Sequence, residues 1–163
     1  MNIPAAIAFV LAASLASASL RAQEPDRAAL CRAFEGKGGE LTLVNLVPRH
    51  PAGDGVVELT DVDIDADGLP DPIRLACGPA QGSGPEHCTL TLRLAGHHEL
   101  RLAREHIALE QAGPRVYVSS SQTVCRSHKL TQATQLSAVV KGRFVTRCGP
   151  IVGPVSAAST PDC

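Results

Sequence analysis

Four carboxylates, Asp63, Asp65, Asp67 and Asp71, fall within nine residues in a stretch that reads D-x-D-x-D-G-x-x-D. Like charges packed so closely are unfavourable unless a cation sits among them. Hard divalent cations take oxygen ligands, and Ca²⁺ accepts six to eight of them in a flexible shell. With Asp63, Asp65 and Asp67 at positions 1, 3 and 5, alternate side chains turn inward on a curled backbone. Gly68 then falls at position 6, where the chain turns sharply and a Cβ would resist. Leu69 at position 7 would contribute its carbonyl, and Asp71 at position 9 would close the shell directly or through water. Asp61 lies one step outside, as an outer partner; a register starting there would put Ala66 where glycine is needed. Mg²⁺ suits the loop less well, because it demands a rigid octahedron and retains waters. The expected cofactor is one Ca²⁺ on Asp63, Asp65, Asp67, Leu69 and Asp71, in a structural role. Its affinity is expected to be that of extracellular modules, about 10⁻⁴–10⁻³ M.

Position 12 separates the loops that share this opening. An EF-hand needs a bidentate Glu there, and a dockerin-type loop also places an acid there. This chain has Arg74, which excludes both on charge and geometry. A loop that ends at position 9 and passes straight into Ile73-Arg74-Leu75 resembles the FG-GAP/VCBS repeat loop of integrin-like propellers and many exported bacterial proteins. The match rests on Asp63, Asp65, Asp67, Gly68 and Asp71, and it implies a calcium-binding β-hairpin. A propeller needs several copies, and the motif occurs once.

Other chemistry is poorly provided for. His98-Glu99-Leu100-Arg101-Leu102 begins like H-E-x-x-H but ends on leucine, and Leu102-Ala-Arg-Glu105-His106 fails as H-x-x-E-H at the same residue. On a strand His97 and His98 would point to opposite faces and could not share a metal. Ser119-Ser120-Ser121 lacks the glycines of a nucleophile elbow. Paired carboxylates occur only in the acidic loop, where a cation would occupy them. These observations favour a binding or structural protein over an enzyme. The alternative is a secreted hydrolase or hydrolase inhibitor without a recognisable motif.

The elements that hold the loop follow from periodicity. Glu24-Pro25-Asp26 opens a short helix with Leu30, Cys31 and Phe34 on one face, stopped by Gly36-Lys37-Gly38-Gly39. From Leu41 the period switches to two. Strands are expected around Leu41–Leu46, Val56–Thr60 and Ile73–Cys77, so that the acidic loop bends a hairpin. Leu90, Leu92 and Leu94 alternate most cleanly. Leu100–Leu102, Ile107–Leu109 and Val116–Ser120 follow, and Lys141-Gly142 turns a last hairpin between Leu136–Val140 and Arg143–Cys148. The expected fold is mainly β: a small antiparallel sandwich, barrel or blade-like sheet with a short N-terminal helix, stabilised by disulfides.

The 163 residues suit one domain of ordinary size. Residues 1–22 read as a signal peptide, with an apolar run from Ala5 and cleavage after Ala18 or Ala22. Residues 23–150 form the expected β domain with its calcium loop at 63–71, and 151–163 a Pro/Ala/Ser-rich tail. Six cysteines follow the signal and no C-x-x-C occurs, which points to three disulfides in an oxidising compartment rather than a zinc or redox site. Spacing does not determine their pairing; the guess is Cys77–Cys88, Cys125–Cys148 and Cys31–Cys163. Arg outnumbers Lys twelve to three and alanine is abundant, as in GC-rich bacteria, so the expected location is periplasmic or secreted, with no membrane span after cleavage. Residues 23–72 carry a net charge of −7 and residues 73–163 a net of +5, which mutual packing of the two halves would offset. Scattered basic residues without interleaved aromatics argue against nucleic acid. The expected partner is an unidentified protein or glycan.

Overall fold

The structure, a computed structural model, describes residues 24–47, 55–78, 87–96 and 99–155. The expected signal segment, the loops at 48–54 and 79–86, His97, His98 and Cys163 lie outside these residues. Among the described residues there are one helix, α1 (Arg27–Phe34), and nine strands. The strands are β1 (Val44–Asn45), β2 (Gly55–Val62), β3 (Asp71–Gly78), β4 (His87–Leu92), β5 (Leu100–Arg104), β6 (His106–Ala112), β7 (Arg115–Arg126), β8 (Lys129–Val139) and β9 (Phe144–Pro154). They form two antiparallel sheets, β2-β3-β4-β5 and β1-β6-β7-β8-β9.

Alternation decides what each face does. On β3 and β4 the odd–even pattern buries Ile73, Leu75, Leu90 and Leu92, and on β6 and β7 it buries Ile107, Leu109, Val116 and Val118. These two sets share one apolar cluster between the sheets, so the architecture is a sandwich rather than a closed barrel. Each such leucine or isoleucine contributes about 1.5–3 kcal/mol on burial. Tyr117 points the other way from Val116 and Val118, as strand geometry requires. It packs with Leu30, Leu136 and Cys148 in a second cluster, under α1. The five-stranded sheet is therefore covered on both faces.

Helix α1 starts at Arg27, slightly later than expected, with Pro25 before its cap. Asp26 caps it, its carboxylate accepting the Ala29 N–H at 3.0 Å, and Leu30 is its buried residue. The strand expected from Leu41 is shorter than its sequence suggests. Only Val44 and Asn45 pair, with Gln111 and Glu110. Leu41 and Leu43 instead pack against the cluster beneath the helix, while Leu46 and Val47 join the one between the sheets.

Two pairings among the cysteines differ from the guess. Cys77–Cys88 forms as expected, between directly opposed residues of β3 and β4. Cys31, however, bonds Cys148, not Cys163, with 5.3 Å between the Cα atoms. Helix α1 lies on β9, and this bond fastens it there. Cys125 cannot reach Cys148. Cys148 pairs with Leu136, and Leu136 with Ser119, whereas Cys125 sits six residues farther along β7. That is about 20 Å at the rise of a strand, far beyond the span of a disulfide. Cys125 is also disulfide-bonded, to a partner outside the described residues.

The tail boundary moves as well. Ile151–Pro154, expected to belong to the Pro/Ala/Ser-rich tail, continue β9 and pair with Thr131–Thr134 of β8. The β8–β9 ladder is irregular between Thr134 and Leu136, and Gly149 faces that irregularity with φ +93°. A Cβ there would lie 2.7 Å from the Thr134 carbonyl oxygen and 3.1 Å from the Gln135 Cα. Both neighbours are backbone and cannot step aside. Gly149→Ala is expected to cost about 2 kcal/mol or more, read as a fall in the urea midpoint with an unchanged slope.

Candidate metal centre

Strands β2 and β3 pair from Gly55↔Cys77 to Leu59↔Ile73, slip, and meet again at Val62↔Asp71. The eight residues between Val62 and Asp71 form the acidic loop, at the bend of the hairpin as its sequence predicts. Its own carboxylates shape it. Asp63 accepts the Asp67 N–H at 3.1 Å and the Gly68 N–H at 2.9 Å, and Asp65 accepts the Asp67 N–H at 3.2 Å. Asp67 accepts the Leu69 N–H at 2.7 Å. Asp side chains favour such local turns because they can replace a backbone acceptor. Gly68 adopts φ +92°, outside what a side chain tolerates easily.

Asp71 is the unusual residue. It is fully buried. One oxygen, Oδ2, accepts the Ile64 N–H at 3.0 Å, while Oδ1 is buried without a hydrogen-bond partner. Carboxylate oxygens of Asp63, Asp65 and Asp71 lie within 4.8 Å of one another. At that distance two ionised carboxylates repel by on the order of 3 kcal/mol at an effective dielectric constant of about 20. One loop hydrogen bond to a charged group returns about 1.5–3 kcal/mol. The four such bonds that the triad accepts thus return an amount comparable with its three mutual repulsions, but the buried Oδ1 of Asp71 stays uncompensated. A proton or a cation there compensates it.

The donor set suits a hard cation. It consists of oxygens only, one of them desolvated and unpartnered, and each carboxylate keeps lone pairs beyond those its N–H donors use. Among the described residues this is the one group of His, Cys, Asp and Glu whose spacing could hold a metal. Of the residues expected as ligands, Asp63, Asp65 and Asp71 come together. The Asp67 carboxylate is outside the triad and closes on the Leu69 amide. The Leu69 side chain is exposed, consistent with a position where only the backbone matters. Asp61 also stands outside the triad. Arg74 lies on β3 with its guanidinium 3.5 Å from Glu58 of the neighbouring strand, so nothing at position 12 closes the loop.

One participant was not apparent from the sequence. Arg115, at the start of β7, donates from its guanidinium to the Asp65 carbonyl at 3.3 Å. That bond ties the loop of one sheet to the first residue of a strand in the other. No local signal marks Arg115, since the contact spans 50 positions of sequence.

Burial raises the pKa of Asp71 above 3.8, the Ile64 N–H opposes this, and the charges of Asp65, Asp67 and Asp63 add to the rise. Burial likewise raises Glu110 above 4.5, against a lowering hydrogen bond from Ser119. Both groups bind protons more tightly in the folded chain than in the unfolded one. Folding stability therefore falls as pH rises through the window between the ordinary and the raised values. In chelator, the melting temperature is expected to drop across that window. With a cation in the loop the Asp71 contribution reverses, because the ion binds the deprotonated form. Calorimetric melts over a pH series, with and without Ca²⁺, check both signs.

The chain matches no protein-family model, no curated protein and no solved structure.

Proposed function

We propose that the chain is an exported calcium-binding β module, periplasmic or secreted in a bacterium, that acts by binding a protein or glycan partner. One Ca²⁺ is held by the Asp63, Asp65 and Asp71 carboxylates, with the Leu69 carbonyl and Asp67, directly or through water, completing the chain's share of the shell. Its role is structural: it offsets the Asp–Asp repulsion and stiffens the β2–β3 bend. The observation that carries this reading is the buried, unpartnered Oδ1 of Asp71 beside the carboxylates of Asp63 and Asp65. The order of acids and glycine along the loop, and its resemblance to FG-GAP/VCBS-type loops, support calcium over other cations. Disulfides at Cys31–Cys148 and Cys77–Cys88 fit an oxidising compartment. Among the described residues no helix is long and apolar enough to cross a membrane.

The test is calcium titration calorimetry on the mature protein, repeated on Asp65→Asn with Asp67→Asn. One equivalent of Ca²⁺ is expected to bind the parent, and binding to the double variant should weaken by tenfold or more, about 1.4 kcal/mol at least. A melting curve indifferent to chelator and to added Ca²⁺ would sink the proposal.

A further inference from the structure

Beside the acidic loop lies a cleft of about 410 Å³, walled by the end of β2 on one side and by the β6–β7 turn on the other. Its volume is within the range of small-ligand sites. Leu59, Val62 and Pro114 contribute apolar surface, and Asp61, Asp63 and Gln111 contribute the polar groups. Asp63 belongs to both the cleft wall and the carboxylate triad, so a cation on the triad would be bound in part by a residue of the cleft wall. Asp61 stands in the same wall but outside the triad. The Gln111 amide nitrogen donates to the Gly113 carbonyl at 3.0 Å, which leaves its side-chain oxygen as an acceptor.

The loop does not fill a calcium shell alone. The three triad carboxylates offer one ligand atom each and the Leu69 carbonyl a fourth, while Asp67 is turned to the Leu69 amide. A shell of six to eight oxygens therefore has room for oxygens from outside the chain. A ligand that suits the cleft brings oxygen to the cation, O–H donors to Asp61 and Gln111, and C–H surface to Leu59, Val62 and Pro114. A carboxylate brings oxygen but no donor, and Asp61 repels it. An ammonium group satisfies Asp61, but the cation repels it. A neutral vicinal diol on a carbon ring meets all three demands.

We propose that this cleft binds a carbohydrate through a vicinal diol, one hydroxyl oxygen completing the Ca²⁺ shell while a hydroxyl donates its hydrogen bond to Asp61. The inference rests on the calcium reading above and specifies the ligand for it. The probes are D-mannose, D-galactose and N-acetylglucosamine, titrated calorimetrically into the full protein in Ca²⁺ and again after chelation, with sodium acetate as the anionic control. At least one sugar is expected to bind in Ca²⁺ and to lose about tenfold or more in affinity in chelator. At saturating Ca²⁺, Asp61→Ala should lose about tenfold in sugar affinity, as expected when a site's hydroxyl partner is removed. Ca²⁺ binding with no response to any of the sugars overturns this inference and leaves the calcium reading standing. Sugar binding indifferent to chelator, or acetate binding better than every sugar, overturns it too. Absence of Ca²⁺ binding to the parent overturns both.

Discussion

Replacing Cys31 and Cys148 together by alanine is expected to lower the unfolding free energy by about 5 kcal/mol in the chain-entropy account of disulfides. The bond closes a loop of 117 residues, against 11 for Cys77–Cys88. The same account assigns the shorter loop about 3 kcal/mol. Alanine is the right replacement, because Cys148, Cys77 and Cys88 are buried and a serine hydroxyl there would add its own desolvation cost. Domains of this size are stable by about 5–15 kcal/mol, so either loss is a large share of the whole, and the long-loop variant should unfold at the lower urea concentration. Urea unfolding of both alanine pairs, without reductant, measures the difference. Equal losses, or a larger loss for Cys77 and Cys88, would contradict the assignment of α1 and β9 as the covalent clamp of the fold.

That clamp was illegible in the sequence for a physical reason. Cys77 and Cys88 flank one local hairpin, so strand pairing brings them together and the guess follows from it. Cys31 meets Cys148 only because a helix lies across the outer face of a sheet assembled from strands far along the chain. Periodicity predicts elements, not which face a helix will cover. The same distinction runs through the strands. Leu90 and Leu92 alternate with Thr, and β4 could be read directly. The far half of the β7–β8 hairpin could not, because residues 122–126 and 129–135 are mostly polar and half-buried or exposed, so no apolar rhythm marks them. Its turn is also disguised. Ser127 and His128 take φ +51° and +61°, where two-residue hairpins usually have Asn-Gly. Lys141-Gly142 adopts φ +50° and +69°, with reciprocal bonds between Val140 and Arg143, and its glycine announced it. In the loop, the convergence of Asp63, Asp65 and Asp71 was legible because ligand spacing is local. The turning of Asp67 to its own backbone, and the reach of Arg115 from the other sheet, depend on the folded packing.

Asp71→Asn should abolish the effect of calcium on stability. With Ca²⁺ at about 100 times its dissociation constant, the parent gains about 2.7 kcal/mol from ligand linkage. For a domain of this length that is a rise of about 10 °C in melting temperature. The substitution removes the charged ligand, so this gain should vanish. In chelator the order reverses. The asparagine oxygen can still accept the Ile64 N–H that Asp71 Oδ2 accepts now. Its amide group replaces the unpartnered Oδ1 and can donate to the neighbouring Asp63 or Asp65 carboxylate. A buried charge beside two like charges is thereby exchanged for a neutral donor among acceptors, worth about 1–2 kcal/mol in favour of the variant. Asp63→Asn would not separate these terms, because its oxygens also hold the Asp67 and Gly68 amides. Thermal melts of parent and Asp71→Asn in chelator and in Ca²⁺ give four temperatures. The variant should melt higher than the parent in chelator and lower in Ca²⁺. A purely structural role for Asp71 predicts a lower melt in both conditions. Retention of the calcium-dependent rise in the variant would place the cation somewhere other than on Asp71.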